Sequence, residues 1–246
     1  MPGAPKILPV LFVLAIPILL VTASVTWAIN DLRLYAHGFD KFDIPAKTGI
    51  ERPDLIQAAA DIRGYFNSGQ DKIDLRAPVF GQERSLFGGR EVAHMKDVKD
   101  LIRGVYMLGA VAGLYLLSAS LAGLLWKGGV FLPHLARWLL RGSVLTIGII
   151  ATVGLFALVA FDQLFLLFHK ISFANDFWRL DPSRHYLVRM FPEGFWFDAT
   201  LFVGIVSVGL ALLLADASAA YLLALRHRSR SHPTPLLTHP ERTTSS

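Results

Sequence analysis

The sequence contains no cysteine. It therefore has no disulfide framework, no thiolate-held zinc or iron–sulfur site, no cysteine nucleophile and no lipid attached through sulfur. Charge is scarce as well: 17% of the 246 residues are Asp, Glu, Lys or Arg and 53% are hydrophobic, against about 25% charged in an ordinary soluble domain. That balance excludes a soluble globular chain and indicates a membrane protein. Several catalytic signatures are missing too. There is no Gly-x-Ser-x-Gly elbow, no Walker A or Gly-x-Gly-x-x-Gly phosphate cradle, and no His-Glu-x-x-His zinc helix. Glu91-x-x-His94 occurs once, whereas a di-metal carboxylate bundle needs two such pairs.

Four stretches are long and apolar enough to cross roughly 30 Å of hydrocarbon, which takes about 20 helical residues. They are residues 7–30, 104–126, 142–161 and 199–225, the last interrupted only by Asp216. Asp216 is expected to be a helix-end carboxylate near the inner interface. The first stretch, with 24 uncharged residues, exceeds the roughly 7–15 of a signal-peptide core and is read as a retained span. Lys127, Arg137 and Arg141 in the short loop 127–141, and Arg226, Arg228 and Arg230 after the last span, mark the cytoplasmic side. Both termini are then cytoplasmic, with 226–246 a disordered tail. Residues 31–103 and 162–198 face outward. The predicted fold is mainly α: four transmembrane helices, bundled, under a small α+β extracytoplasmic cap. The two outer segments together carry a net −1 and the remainder +6, so the formal +5 and the pI of about 9.6 label topology and do not imply nucleic-acid binding.

Within the spans, Gly109 and Gly113 form a small-xxx-small face for close helix approach, and Pro17 predicts a kink. In the cap, Glu51–Phe66 reads as an amphipathic helix with Leu55, Ile56, Ala59, Ile62 and Phe66 on one side. Residues 72–80 and 83–87 read as two short strands around Gly81. A second helix begins near Glu91 and runs to Arg103, with Val92, Met95, Val98 and Ile102 on one stripe and Glu91, His94 and Asp97 on another. From Phe161 to Phe197, 11 of 37 residues are aromatic. An interfacial belt explains part of this; a lipid-accessible pocket beside His169, Asn175, Arg179, His185 and Arg189 explains the rest.

Histidine is the side chain that titrates near neutral pH, and His37, His94, His169 and His185 all lie in the outer segments. Glu91 and Asp97, one turn either side of His94, are placed to fix its tautomer. His169 ends the apolar run from Leu164, where the third span leaves the bilayer. What survives the exclusions is acid–base chemistry by two histidines at the outer interface.

Four segments carry a family resemblance: Glu91-Val-Ala-His-Met-Lys-Asp-Val-Lys99, Phe168-His-Lys-Ile-Ser-Phe173, Asp176-Phe-Trp178 and Phe191-Pro-Glu-Gly-Phe-Trp196. They resemble the lipoprotein intramolecular transacylase family, Lit, across the topology from the first span to the fourth. The resemblance implies a bacterial cell-membrane acyltransferase active on the outer face. Such an enzyme moves the sn-2 acyl chain of a lipoprotein's diacylglyceryl group to the α-amino group of the same N-terminal cysteine. It further implies catalytic histidines at His94 and His169, an aromatic-rich chamber, and no metal or organic cofactor. The partners are then a diacylglyceryl-modified lipoprotein and membrane lipid. Glu91, Asp97, Phe168, Phe173, Trp178, Phe195 and Trp196 are the expected substrate-binding residues. His94 is taken as general base and His169 as acid or oxyanion donor, an order that can be reversed. If the helix from Glu91 ran straight into the second span, His94 would stand about 15 Å beyond Gly104, so a bend near Arg103-Gly104 is expected to bring the imidazoles together. The alternative is a non-enzymatic membrane protein whose cap binds lipid or a partner protein. The oligomeric state is not legible.

Overall fold

The computed structural model describes residues 7–231, with side chains to residue 228. It is mainly helical: α1 (Ile7–Asn30), α2 (Leu32–Lys41), α3 (Ile44–Thr48), α4 (Arg52–Asn67), β1 (Arg76–Val79), β2 (Gln82–Ser85), α5 (Gly89–Lys127), α6 (Leu132–Ser172), α7 (Tyr186–Met190) and α8 (Glu193–Ser231). A 3₁₀ turn, Gly128–Phe131, joins α5 to α6. Three continuous helical stretches are long and apolar enough to cross a membrane: Ile7–Asn30, Gly89–Ser172 and Glu193–Arg228. Of the tail expected to be disordered, residues 226–231 continue α8 as helix, and the remainder lies outside the described residues.

α1, α5, α6 and α8 pack side by side. Phe12, Ala15 and Ile16 of α1 bury against Ala112 and Leu116 of α5, with Leu135, Trp138 and Leu139 of α6 alongside. The small-residue face does what its spacing suggests. A Cβ on Gly109 would stand 2.7 Å from Thr22 Oγ1, so only glycine lets α5 lie this close to α1.

The cap has its own larger core. Tyr35 and Phe39 of α2, Ile44 of α3, and Leu55, Ala59 and Ile62 of α4 are buried with Leu75, Val79, Leu86, Met95 and Ile102. β1 and β2 pair antiparallel, Val79 opposite Gln82, and Phe80-Gly81 makes the turn with positive φ at both positions. α4 forms where its periodicity and its early Pro53 predict, although Ile56 is only half-buried. α2 and α3 were not expected. Asp31 starts α2 by accepting a hydrogen bond from the Arg33 backbone N–H, which satisfies one of the unpaired first-turn donors.

No bend appears near Arg103-Gly104: α5 is one 39-residue helix. The irregularity lies in α6, at Ala160, whose φ of −146° and ψ of 49° are not helical. α6 also continues to Ser172, past the expected end of its apolar run. His169 is therefore carried about 12 Å beyond residue 161, and it meets His94 on the projecting start of α5.

Candidate active site

The ring centroids of His94 and His169 are 6.0 Å apart. Each residue is only 7% exposed. Phe173 lies edge-on to His94 at 5.1 Å and tilted to His169 at 5.7 Å. Phe165, Phe168 and Trp178 complete the surround of His169 at 4.3, 5.3 and 5.1 Å. The result is an apolar cage with two imidazoles inside it.

Burial sets their protonation. His94 is pushed down to about 4, first by removal from water and then by the neighbouring His169, with Asp97 opposing. His169 is lowered by burial, with the hydrogen bond to the Phe165 carbonyl opposing. Both rings are thus neutral at pH 7. The contact of His169 Nδ1 with Phe165 O, at 2.7 Å, requires Nδ1 to carry the hydrogen, because a carbonyl only accepts. Nε2 of His169 is left as a bare acceptor. Nδ1 of His94 is buried with no hydrogen-bond partner among the described residues.

The segment after α6, through α7, is fastened to α5 at three points. Asn175 Nδ2 donates to Asp97 Oδ2 at 2.9 Å, the Arg90 guanidinium donates to the Asp176 carbonyl, and Glu91 accepts from Leu187 N at 2.9 Å. Glu91 also accepts from Gly88 N at 2.8 Å, closing the first turn of α5 as an N-terminal carboxylate does. Glu91 therefore does not orient His94 as its spacing suggested; it ties two backbones together. A cavity of about 280 Å³ opens beside the dyad, lined by Asp97, Asp100, Leu101, Ser172, Phe173, Ala174 and Asn175.

Of the expected binding residues, Phe168, Phe173 and Trp178 surround the dyad. Trp196 reaches it only through Phe165, at 6.4 Å. Phe195 belongs elsewhere: it is 5% exposed and packs on Tyr35 and Phe191 in the cap core. Its ring occupies the space a Cβ on Gly38 would need. His185 serves a local turn, its Nδ1 accepting from Asp181 N at 2.9 Å. Asn175 was placed beside the expected pocket, whereas Phe165 and Arg90 were not singled out as site residues. For Phe165 a signal existed, since it precedes His169 by one helical turn. Among the described residues, no group of three His, Cys, Asp or Glu side chains converges as a metal site.

The family model for lipoprotein intramolecular transacylase, Lit, matches residues 10–196. The chain belongs to this family. An uncharacterised protein of Aquifex aeolicus (strain VF5) is 30% identical over 128 residues, which span 52% of this chain and 54% of that protein. The solved structure of the membrane-integral Lit of Bacillus cereus superposes with a TM-score of 0.77 at 20% identity, covering 91% of this chain and 98% of that one. A variant of it with one histidine replaced by arginine superposes at 0.73 over 91% and 94% of the two chains, also at 20% identity. The Lit fold is thus shared almost end to end.

Proposed function

We propose that this chain transfers the sn-2 acyl group of a diacylglyceryl lipoprotein to the α-amino group of the same N-terminal cysteine, using His94 and His169 at the outer membrane interface. The observation that carries the reading is the 6.0 Å approach of two buried, neutral imidazoles inside an aromatic cage. In this reading α1, α5, α6 and α8 each cross the bilayer once. The turn at Gly128–Phe131 is cytoplasmic, both termini are inside, and the projecting ends of α5 and α6 stand in the outer headgroup region.

The chemistry is intramolecular. The substrate ammonium, with a pKa near 8, loses one proton to water on binding. As its nitrogen attacks the ester carbonyl, Nε2 of His169 accepts a second proton. This reverses the order expected from sequence, because the bond to Phe165 leaves His169 with the free lone pair. The neutral N–H of His94 donates to the developing oxyanion. When the C–O bond breaks, His169 returns its proton to the sn-2 oxygen. One ester becomes one amide and one hydroxyl, so no co-reactant is consumed. Two imidazolium ions 6.0 Å apart would repel, which limits the pair to one extra proton at a time. The cage holds a flexible lipid in its attack geometry, a source of on the order of 7–11 kcal/mol in well-oriented intramolecular reactions.

The test is mass spectrometry of lipoprotein N-termini from cells with and without this protein. N-acylated, lyso-form products are expected only in its presence. His169→Ala and His94→Ala should each lower that product by about 10²–10⁴-fold, the range of a lost general acid or base, with insertion and thermal stability retained. Unchanged N-termini would overturn the reading.

A further inference from the structure

A second lipid-facing feature lies on another side of α5. A groove of about 530 Å³ runs between α1 and α5, lined by Leu19, Thr22, Trp27, Asn30, Tyr106 and Gly109 among others. Trp27 is 49% exposed on its rim, and Ala23 and Ala110 are exposed along it. The outer end is closed by polar groups. Asn30 Nδ2 donates to Tyr106 Oη at 2.9 Å, and Asn30 Oδ1 accepts from Asn67 Nδ2 at 2.9 Å.

Two guanidinium groups stand at that end. Arg63 Nη1 lies 3.5 Å from the Asn30 carbonyl. Arg103 is one helical turn outward of Tyr106 and donates to the Ser68 carbonyl at 2.7 Å. Neither is within ion-pair distance of a carboxylate among the described residues. Asp61, the acid nearest Arg63 in sequence, accepts from Gln57 at 2.9 Å, and Asp100, the nearest to Arg103, pairs with Lys96. Lys99, close by, is buried and bonded to the Gln70 carbonyl at 2.5 Å, with Asp71 and Asp100 near enough to favour its charge. Asn30 ends the first apolar run and Tyr106 lies in the first turn of the second, so the arginines sit at headgroup depth and the groove at acyl-chain depth.

We propose that this groove binds an anionic glycerophospholipid of the outer leaflet. One acyl chain lies between α1 and α5, and the phosphodiester sits against Arg63 and Arg103. Charge complementarity selects this occupant. A diacylglyceryl thioether brings no phosphate for two unneutralised guanidinium groups, which recognise phosphate well. The site uses neither histidine, so it stands or falls separately from the catalytic reading.

Native mass spectrometry of the full chain in non-ionic detergent, titrated with dioleoyl phosphatidylglycerol and dioleoyl phosphatidylcholine, tests it. Phosphatidylglycerol is expected to be retained at least ~10-fold more tightly, and Arg63→Gln/Arg103→Gln to remove that preference, as two interfacial cations would. Ala110→Phe, which fills an exposed part of the groove and leaves the charges in place, should weaken binding of the anionic lipid by a similar factor. With dibrominated phosphatidylglycerol, quenching of tryptophan emission should fall in Trp27→Phe. Equal retention of the two lipids, or undiminished anionic-lipid binding in both the double-arginine and Ala110→Phe variants, would overturn the proposal.

Discussion

Phe39, Ile44, Leu55 and Ala59 of the cap are completely buried, whereas Leu125, Trp126 and Val159 of the long helices are 87%, 89% and 80% exposed. The cap hides its apolar side chains as a water-soluble domain does, around a core drawn from seven elements. The bundle hides few and packs through Phe12, Ile16, small residues and serine hydroxyls, such as Ser207 donating to Ser24 at 3.0 Å. The difference follows from the solvent each part meets. Water drives burial in the cap, while lipid tails are as apolar as leucine, so association between spans depends on close fit and polar contacts. The two histidines lie at the seam, one on the cap-packed start of α5 and the other at the end of α6.

The contrast can be broken most directly by matched truncations. Phe39→Ala should cost about 3–5 kcal/mol, the usual penalty for emptying an aromatic site in a core, and Val159→Ala on the exposed surface less than about 0.5 kcal/mol. Thermal unfolding of both variants in one detergent reads the difference, and comparable losses would contradict the two-solvent picture. Glu91 probes the seam. It is 2% exposed and accepts two backbone hydrogen bonds, so Glu91→Ala should cost about 2–4 kcal/mol by leaving buried donors unpaired. Acyl transfer should fall as the 173–192 loop loosens, and Glu91→Gln should lose less than Glu91→Ala on both measures.

The smallest effect is titratable. Because His94 is held down to about 4 in the fold, against about 6.5 when unfolded, the unfolded chain binds the extra proton. Stability is then level above pH 6.5 and falls as pH drops toward 4, by about 2 kcal/mol at pH 5. The melting temperature of the wild type should drop between pH 7.5 and 5, and that of His94→Gln should drop less. Equal acid sensitivity in the two would show that the seam is not as dry as its burial indicates.

Apolar run length and helical spacing are local properties, so α1, α4 and the hairpin are legible in the sequence, while the roles of His94 and His169 came from the family resemblance. Contacts decided by distant residues are not legible there. Glu91 looks like a partner for His94 at i+3, yet its second acceptor contact is with Leu187, 96 residues away. Phe195 and Phe173 are alike in an aromatic-rich loop, and only the packing of α2 against α8 sends one to the core and leaves the other at the site. α2 and α3 are only ten and five residues long, and their place in the cap is set by long-range burial of Tyr35, Phe39 and Ile44.

α5 and α6 run antiparallel from the turn that joins them and pack mainly on α1 and α8, which turns the dyad into a gauge of register. His94 lies 33 residues before the end of α5 and His169 lies 37 residues into α6, so each imidazole is roughly 50–55 Å from the turn that joins the helices. Inserting one residue in either helix would rotate its histidine by about 100° and shift it about 1.5 Å, dispersing the pair from several turns away. An extra residue in the 68–75 connection of the cap would leave the pair facing. The part of the chain least tolerant of length change is thus the pair of plain apolar rods that carry the two histidines.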